Sequence, residues 1–277
     1  MSYLFNLISN SKVIRNIFYR LSQKYKGKME ISFLINGFKF YGNSIDRIIA
    51  ILLWKWSLLE GFESKFVVDK IKSGWTVLDI GANIGFYTIQ FSNQVGLNGK
   101  VIAVEPAADN LYLLKKNIKV NHLKNVSIIE KAISSKSQNS RLYFAHGHQG
   151  DHRIYNTNET REYTPIETIT IDDLIKDETR LDLIKMDIQG AEHLAILGIK
   201  QTVKKYRNIK IISEFSPKLI SDAGGNPYDF LDYFIKEGFH IKYFDEKNKM
   251  IIKTTKKDLI KLCTGAKYVS LYLERKK

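Results

Sequence analysis

The sequence is poor in cysteine and has no long hydrophobic run. Cys263 is the only cysteine, so no internal disulfide can form and a reducing compartment is expected. The longest apolar run, residues 48–54, is far shorter than the roughly 20 residues that span a bilayer. Polar residues interrupt the first segment, which therefore has no signal-peptide core. These absences predict a cytoplasmic protein without a membrane span.

Acidic residues are also scarce. There are 29 of them against 43 basic residues, which gives a formal net charge of +14. Such a charge fits an anionic partner, which could be a nucleic acid, a membrane surface or an acidic glycan. It equally fits a lysine-rich surface without a partner, and the scattered positions of the lysines favour this second interpretation.

Residues 1–73 are expected to form an accessory segment of helices and a hairpin ahead of the main domain. Apolar residues at helical spacing among basic ones predict an amphipathic helix within residues 1–28. This helix could rest on the inner face of a membrane, on the main domain, or on a second copy of the chain in a homodimer. Asn36-Gly37 between two apolar runs predicts a β-hairpin, and further helices are expected at 44–54 and 63–72.

Strands and helices alternate in residues 74–277, which are expected to form the main domain. This alternation predicts an α/β fold with a largely parallel sheet, helices on both faces and an antiparallel pair at one edge. A polar insertion at 134–165 is expected near the carboxyl edge of the sheet, where ligands bind. The predicted strands are 76–80, 101–104, 126–130, 182–186, 209–214, 239–244 and 267–273, and the predicted helices are 85–94, 108–120, 191–205 and 227–237.

A glycine loop with the sequence DIGANIG follows the first predicted strand of this domain, at residues 79–85. Gly81 and Gly85 permit a tight turn and a close approach of a ligand to the backbone. The loop lacks the G-x-G-x-x-G spacing of dinucleotide-binding proteins, and Asp79 would repel a pyrophosphate but attract an ammonium group. Glu105 lies at the separation expected of an acid that binds ribose hydroxyls. The loop therefore predicts S-adenosylmethionine rather than a nicotinamide cofactor.

Two carboxylates are expected beside the methyl donor. Asp187 follows one central strand and Glu214 ends its neighbour, and either could take the proton from a hydroxyl that is being methylated. Paired carboxylates can also hold a divalent metal, although no metal is predicted here. Asp187 could instead cap the following helix. Glu192 could stand in the first turn of that helix only because a negative charge there interacts favourably with the helix dipole.

The polar insertion contains His146, His148, Asp151 and His152. These residues are interpreted as contacts to the acceptor substrate, with His152 as a further candidate base. A tight metal site is the less favoured interpretation of the same cluster. Glu130, Lys131 and Ala132 end the third strand, where they would flank the adenine ring.

Four motifs together resemble the FkbM-type S-adenosylmethionine-dependent methyltransferases. They are the glycine loop at 79–85, Val104-Glu105-Pro106, the IDDL segment at 171–174 and the KMDIQGAE segment at 185–192. The resemblance implies a Rossmann-like class I methyltransferase fold, with seven strands in a mostly parallel sheet and an antiparallel edge strand. It also implies O-methylation, commonly of sugars or secondary metabolites. The predicted cofactor contacts are Asp79, Gly81, Ala82, Asn83, Gly85, Glu105, Pro106, Glu130, Lys131, Ala132 and Asp187.

The sequence thus predicts an O-methyltransferase that acts on a hydroxyl of a glycan, a sugar or another polyhydroxylated small molecule. A nucleic-acid methyltransferase is the first alternative, because the chain is basic. Against it, Ile188 and Gln189 stand where base-methylating enzymes generally carry an Asn/Asp-Pro-Pro-aromatic motif. A non-catalytic module that binds a membrane or a partner is the second alternative, and the intact loop and Glu105 speak against it.

Overall fold

The computed structural model describes residues 30–42, 61–145, 151–156 and 161–275. The helices predicted within 1–28 and 44–54 lie outside these residues. The predicted hairpin is confirmed: β1 (Ile31–Ile35) and β2 (Phe38–Gly42) pair antiparallel. Both turn residues have positive φ angles, 51° at Asn36 and 83° at Gly37, as a two-residue hairpin turn requires.

The main sheet has eight strands in the order β12-β11-β13-β10-β9-β3-β4-β5, and β6, β8 and β7 form a smaller sheet. Strands β5, β4, β3, β9 and β10 run parallel, while β13 is antiparallel to both of its neighbours. The strand bounds are β3 (Thr76–Ile80), β4 (Lys100–Val104), β5 (Val126–Ile129), β6 (Ala132–Ile133), β7 (Gln138–Tyr143), β8 (Tyr163–Ile169), β9 (Leu183–Met186), β10 (Lys210–Phe215), β11 (Phe239–Asp245), β12 (Met250–Lys253) and β13 (Val269–Arg275).

The predicted class of fold is confirmed, with one correction to the strand count. The sequence predicted seven strands in the main sheet, and β12 is the eighth. It pairs antiparallel with β11 at the edge of the sheet. Its four residues show no alternation of apolar and polar side chains, so its strand conformation depends on the pairing with β11 rather than on a local pattern.

Nine α-helices lie within the residues that the structure describes. The predicted single helix over 191–205 is wrong, because a 3-10 turn (Ile196–Gly198) divides it. A Cβ at Gly198 would lie 2.9 Å from Thr170 Cβ, so close packing requires a glycine that weakens the helix. The helix bounds are α1 (Phe62–Lys70), α2 (Phe86–Val95), α3 (Ala108–Val120), α4 (Ile171–Ile175), α5 (Glu192–Ala195), α6 (Lys200–Lys205), α7 (Pro217–Asp222), α8 (Pro227–Lys236) and α9 (Lys256–Leu262).

The polar insertion contains regular structure that the sequence did not predict. All of β7 and the start of β8 fall within 134–165, and both strands pair over six residues. Their side chains are mostly exposed or half-buried, and within 134–165 Leu142 is the buried residue of these strands. The insertion therefore forms a small sheet whose buried residue faces the rest of the domain.

Apolar side chains cover both faces of the main sheet. Leu78 and Ile184 belong to one buried cluster, while Val77 and Leu183 belong to another. Neighbouring residues of a strand point to opposite faces, so the central strands are buried on both sides, as in other parallel sheets. Within the described residues, no helix is long and apolar enough to cross a membrane.

Candidate active site

A cleft of about 550 Å³, including its open mouth, lies at the carboxyl ends of β3, β4 and β9. The chain passes from β3 to β4 on one side and later returns to β9 on the other. Open α/β sheets bind ligands at such a switch point.

The glycine loop forms the floor of this cleft. Gly81 has a φ of 80°, and a Cβ at this position would lie 2.1 Å from the carbonyl oxygen of Asp187. Gly85 has a φ of 95°, and its Cβ would lie 2.7 Å from Leu114 Cδ1. Both positions therefore require glycine. Gly81 and Asn83 line the cleft, whereas Ala82 and Gly85 shape the loop without lining it.

Asp79 lies two residues before Gly81 and is almost completely buried. Its Oδ2 accepts a hydrogen bond of 2.6 Å from the Thr88 hydroxyl. Its Oδ1 is also buried and has no hydrogen-bond partner among the described residues. Burial raises the pKa of Asp79, and the ammonium of Lys185 opposes that rise. An unpaired buried carboxylate oxygen is costly. Asp79 does not line the described cleft, and its predicted contact with the cofactor stays a prediction.

Glu105 lines the cleft and holds the loop in place. Its Oε2 accepts from the Asn83 backbone N–H at 2.9 Å, and its Oε1 accepts from Ala107 N–H and Asn110 Nδ2, both at 3.0 Å. Burial raises the pKa of this carboxyl, and these hydrogen bonds counteract the rise. A carboxylate has about four acceptor positions, so Oε2 can still accept from a ligand hydroxyl.

Asn110 also lines the cleft, and the sequence analysis missed it. Asn110 stands in the first turn of α3, five residues after Glu105, and its side chain is buried. A buried asparagine that close to an acid predicted to bind ribose is the signal that could have identified it.

The residues predicted near the adenine ring divide into two groups. Lys131 and Ala132 line the cleft, and so does Pro106, which was predicted as a cofactor contact without an assigned part of the cofactor. Glu130 does not, because its exposed side chain forms an ion pair of 2.6 Å with Lys115. Glu130 and Lys131 lie in the bend between β5 and β6, and the chain turns Lys131 and Ala132 toward the cleft there.

The small sheet and the loop beside it supply the wall opposite the glycine loop. Leu142, His152 and Ile154 line the cleft there, and the ring of His152 packs edge-on against Phe144 at a centroid distance of 5.2 Å. His152 thus lines the same cleft as Ile133 and Ala132. Sequence reasoning missed the apolar members of this wall.

Asp151 has a different environment from its neighbour His152. Its carboxylate accepts hydrogen bonds from Arg153 Nε at 2.7 Å and Nη2 at 3.0 Å, and from Arg161 Nη2 at 3.1 Å. It does not line the described cleft. Its two guanidinium partners give it an evident role in holding the insertion together, and its predicted contact with the acceptor stays a prediction. His146 and His148 lie outside the described residues.

Asp187 stands at the edge of the cleft with its side chain 42% exposed. Gln189 Nε2 donates to Oδ1 at 3.0 Å, and Lys185 Nζ lies 3.5 Å from Oδ2. Each oxygen is thus held from the protein side and retains acceptor capacity toward the cleft. The sequence predicted the position of Asp187 but not the part played by Gln189.

Glu214 is half-buried near Asp187 on the neighbouring strand. Burial raises the pKa of Glu214 to about 9, with the carboxylates of Asp187 and Glu192 adding to the rise. At neutral pH Glu214 therefore carries a proton and can donate a hydrogen bond, as other carboxyl groups in apolar sites do. It does not line the described cleft.

Glu192 holds the segment that follows Asp187. Its buried carboxylate accepts from Ile188 N–H at 2.7 Å and from Gly190 N–H at 2.8 Å. The Tyr155 hydroxyl donates to Gln189 O at 2.6 Å, which ties the insertion to the same segment. Burial raises the pKa of Glu192 to about 7. The structure thus gives Glu192 a clear local function, and sequence analysis missed Tyr155.

Within the described residues, no group of three or more histidine, cysteine, aspartate or glutamate side chains is arranged to hold a metal ion. This finding covers Asp187, Glu214, Asp151 and His152.

Three solved structures resemble the chain at low identity. A rRNA methylase from Streptococcus thermophilus shares 10% identity with a TM-score of 0.46 and covers 78% of this chain and 95% of its own. TYW2 from M. jannaschii, solved with AdoMet, shares 16% with a TM-score of 0.47 and covers 91% and 89%. A SAM-dependent methyltransferase from Aquifex aeolicus shares 17% with a TM-score of 0.43 and covers 79% and 92%.

A search of curated proteins finds no match. The sequence model of the family described as "Methyltransferase FkbM domain" matches residues 79–241, which is more than half of the chain. The match begins at the glycine loop and includes Glu105, Asp187, Glu192 and Glu214. The chain belongs to the FkbM methyltransferase family, with a Rossmann-like class I fold and S-adenosylmethionine as its cofactor.

Proposed function

We propose that this protein transfers a methyl group to a hydroxyl of a glycan, a sugar or another polyhydroxylated small molecule. The observation that carries the proposal is the carboxylate of Asp187, which is half-exposed at the edge of the cleft and held by Gln189 and Lys185. A hydroxyl becomes a good nucleophile only as its proton leaves, and a carboxylate within hydrogen-bond reach can accept that proton.

The residues of the cleft fit the methyl donor. The unpaired Oδ1 of Asp79 suits an ammonium group, and the remaining acceptor position on Glu105 suits a ribose hydroxyl. Gly81 keeps the backbone open to close approach. Lys131 and Ala132 remain the proposed neighbours of the adenine ring, and Pro106 remains a proposed cofactor contact. When bound, S-adenosylmethionine supplies an electrophilic methyl group.

The two carboxyl groups near the acceptor have different proposed roles. Asp187 accepts the proton of the attacking hydroxyl. Glu214 holds a proton at neutral pH, because burial raises its pKa to about 9, and it can donate a hydrogen bond to a second oxygen of the acceptor. A polyhydroxylated acceptor offers both kinds of partner. His152 stays a proposal for acceptor contact, although its position on the adenine side favours a role in shaping the cleft.

The function is tested with Asp187→Asn and labelled donor offered to pools of free sugars and glycans. We expect wild-type protein to label a hydroxylated acceptor and Asp187→Asn to lose roughly 10²- to 10⁴-fold in turnover, as is typical when a general base is removed. Calorimetry with S-adenosylhomocysteine should give nearly the same affinity for both proteins, because the donor site is intact.

The matched control is Asp232→Asn. Asp232 lies on α8 and its carboxylate pairs with Lys256 of α9, so its removal should leave turnover unchanged. Equal turnover in Asp187→Asn and wild type would remove Asp187 from the mechanism. Failure of the wild-type protein to bind the donor product would end the proposal as a whole.

Methylation of a nucleic acid is the second candidate, favoured by the net charge of +14. Three further expectations stay proposals. Residues 1–28 contact an anionic membrane, two copies of the chain form a homodimer, and the protein is cytoplasmic. Co-sedimentation of the full chain with anionic vesicles at low and high salt tests the membrane contact, since electrostatic attachment weakens with ionic strength.

A further inference from the structure

Lys185 is a buried lysine that the proposed chemistry does not yet explain. Its side chain is only 7% exposed, and lysine is almost never fully buried unless it is paired. It stands on β9 directly opposite Asp79 of β3 in the parallel register. Partners in register on adjacent strands project from the same face of a sheet, so the ammonium lies on the α2 side, next to the end of the glycine-loop strand.

The ammonium of Lys185 has two partners at short range. Its Nζ lies 3.5 Å from Asp187 Oδ2 and 4.6 Å from the centre of the Tyr87 ring. The Tyr87 hydroxyl donates to Glu63 Oε1 at 3.2 Å. Lys185 thus connects Asp187 at the edge of the cleft to a buried polar row that extends to α1.

We propose that Lys185 is the positioning residue of the methyl-transfer site: its buried ammonium holds the carboxylate of Asp187 at the edge of the cleft and balances the acidic side chains around it. This inference rests on the proposed function, because it gives Asp187 the role of accepting the proton. Gln189 fixes one oxygen of Asp187 and Lys185 fixes the other, so the carboxylate has a defined orientation.

The charge balance supports this role. Burial raises the pKa of Glu63, Asp79 and Glu214, and the ammonium of Lys185 is the cation that opposes the rise in all three. Burial works to lower the pKa of Lys185 itself, but the carboxylates of Asp187, Asp79 and Glu63 outweigh it and raise that pKa. The ammonium of Lys185 therefore stabilises the charged form of several acids that belong to different elements.

The titratable groups that face Lys185 and Glu214 come from every element packed around them. They are Glu63 of α1, Asp79 of β3, Tyr87 of α2, Asp187 after β9, Glu192 of α5 and Tyr268 before β13. All six of these groups are acids, and Lys185 is the cation among them. Removal of its charge must therefore change the pKa values of the carboxyl groups that remain.

The test compares Lys185→Met with a matched control, Lys242→Met. Methionine keeps most of the length of the side chain and removes the charge. Lys242 is also paired with a carboxylate, that of Glu274 at 2.7 Å, but it lies on β11 away from the cleft. Three measurements are made on each full-length protein: carboxyl carbon-13 NMR titration of Glu214, calorimetry with S-adenosylhomocysteine, and methyl transfer to the sugar and glycan pools as a function of pH.

In Lys185→Met we expect the titration midpoint of Glu214 to rise by at least roughly 0.5 pH unit, because an attractive cation has gone. We expect donor-product affinity within about threefold of wild type and turnover at least about 100-fold lower, as for loss of the base, with a changed pH profile. Lys242→Met should match wild type in all three measurements.

An unchanged Glu214 midpoint, or wild-type turnover, would overturn the proposal. A tenfold or larger loss of donor-product affinity would also overturn it, because Lys185 would then serve the donor site. If Lys185→Met does not fold, the double variant Lys185→Met/Asp79→Asn is used instead, because it removes one acid together with the cation. For this variant only the titration midpoint of Glu214 is compared with that of wild type.

The two proposals fail in different ways. Failure of the wild-type protein to bind S-adenosylhomocysteine refutes the proposed function, whereas the shift of the Glu214 midpoint does not depend on donor binding.

Discussion

Glu105 combines two tasks that are usually separate. It binds the glycine loop through Asn83 N–H and the start of α3 through Ala107 and Asn110, and it offers one further acceptor position to a ligand. The carboxylate therefore holds the glycine loop and the start of α3 together without a ligand, which reduces the ordering required on binding.

Glu105→Gln tests this double role. One of the two oxygens becomes an NH₂ group that faces protein donors, so we expect S-adenosylhomocysteine affinity to fall about tenfold or more, since hydrogen bonds to a charged group contribute roughly 1.5–3 kcal/mol. Calorimetry measures the affinity. Glu274→Gln is the control, because its carboxylate accepts from Lys242 and Tyr272 far from the cleft. Equal affinity in both variants would contradict the assignment.

Glu214 should make the stability of the fold depend on pH. Burial raises its pKa to about 9, well above the value of an unfolded chain. Between those two values the native state holds a proton that the unfolded state lacks, so the free energy of unfolding falls as pH rises. Glu192 contributes in the same direction up to a pKa of about 7, and burial also raises the pKa of Glu63, Asp79 and Glu105. Substitution of Glu214 therefore isolates the part of the decline that belongs to Glu214.

In Glu214→Gln we expect this decline to flatten between pH 7.5 and 9, where one proton contributes at most about 1.4 kcal/mol per pH unit. Urea unfolding at several pH values measures it. Glu274→Gln should keep the wild-type slope, because the hydrogen bonds of Glu274 outweigh its burial and hold its pKa below the usual range. A slope in Glu214→Gln equal to that of wild type would show that Glu214 is not buried as described.

At the level of elements, the segment after β9 is held as firmly as the glycine loop. Gln189 and Gly190 have positive φ angles of 55° and 99°, a conformation that is strained for glutamine. Hydrogen bonds offset this strain. The Glu192 carboxylate accepts from the backbone N–H groups of Ile188 and Gly190, and the Tyr155 hydroxyl donates to the carbonyl oxygen of Gln189.

We expect Glu192→Gln to loosen this segment. Glutamine has one side-chain acceptor oxygen, so its NH₂ group would face a backbone N–H and leave a buried donor unpaired, at a cost of about 1–3 kcal/mol. Hydrogen exchange of peptides covering 187–195 should become faster, and donor-product affinity should fall because Ile188 and Gln189 line the cleft. Glu178→Gln, which loses an ion pair with Lys100 at the opposite edge of the sheet, should leave both measurements unchanged.

The elements also mark how far sequence reasoning reaches. All seven predicted strands of the main sheet exist, because long apolar runs are buried on both faces whatever their neighbours. The strands β6, β7, β8 and β12 were missed. β6 has only two residues, and the others give no clear alternation of apolar and polar side chains, so their strand conformation depends on pairing. The short helices α4, α7 and α9 were also missed, although Thr170, Ser216 and Thr255 cap them.

The candidate site follows the same division. Gly81, Asn83, Glu105 and Asp187 could be located because each follows a buried strand at a fixed edge of the sheet. The wall formed by Leu142 and Ile154 could not, because it depends on how a mostly polar insertion folds over that edge. Glu130 does not line the described cleft, because its side chain pairs with Lys115, and this pairing could not be predicted from the sequence. Its predicted contact with adenine stays a prediction.

For the whole molecule, the distribution of charge matters more than its sum. The chain carries a formal net charge of +14, yet the carboxyl edge of β9 and β10 collects Asp187, Glu192 and Glu214 around a single buried lysine. A phosphate backbone requires cations at its contacts, whereas hydroxyl groups can pair with carboxylates. The local charge therefore favours a neutral hydroxylated acceptor over a nucleic acid.

This contrast gives the last prediction. We expect RNA and DNA to bind the full chain only through its scattered lysines, with an affinity that falls steeply between about 50 and 200 mM salt, as non-specific binding does. Bound RNA should neither accept label from the methyl donor nor change S-adenosylhomocysteine affinity at 200 mM salt. Filter binding, label transfer and calorimetry measure the three quantities. Salt-resistant binding with methylation of one RNA or DNA would favour the second candidate function, because electrostatic attraction to surface lysines explains neither.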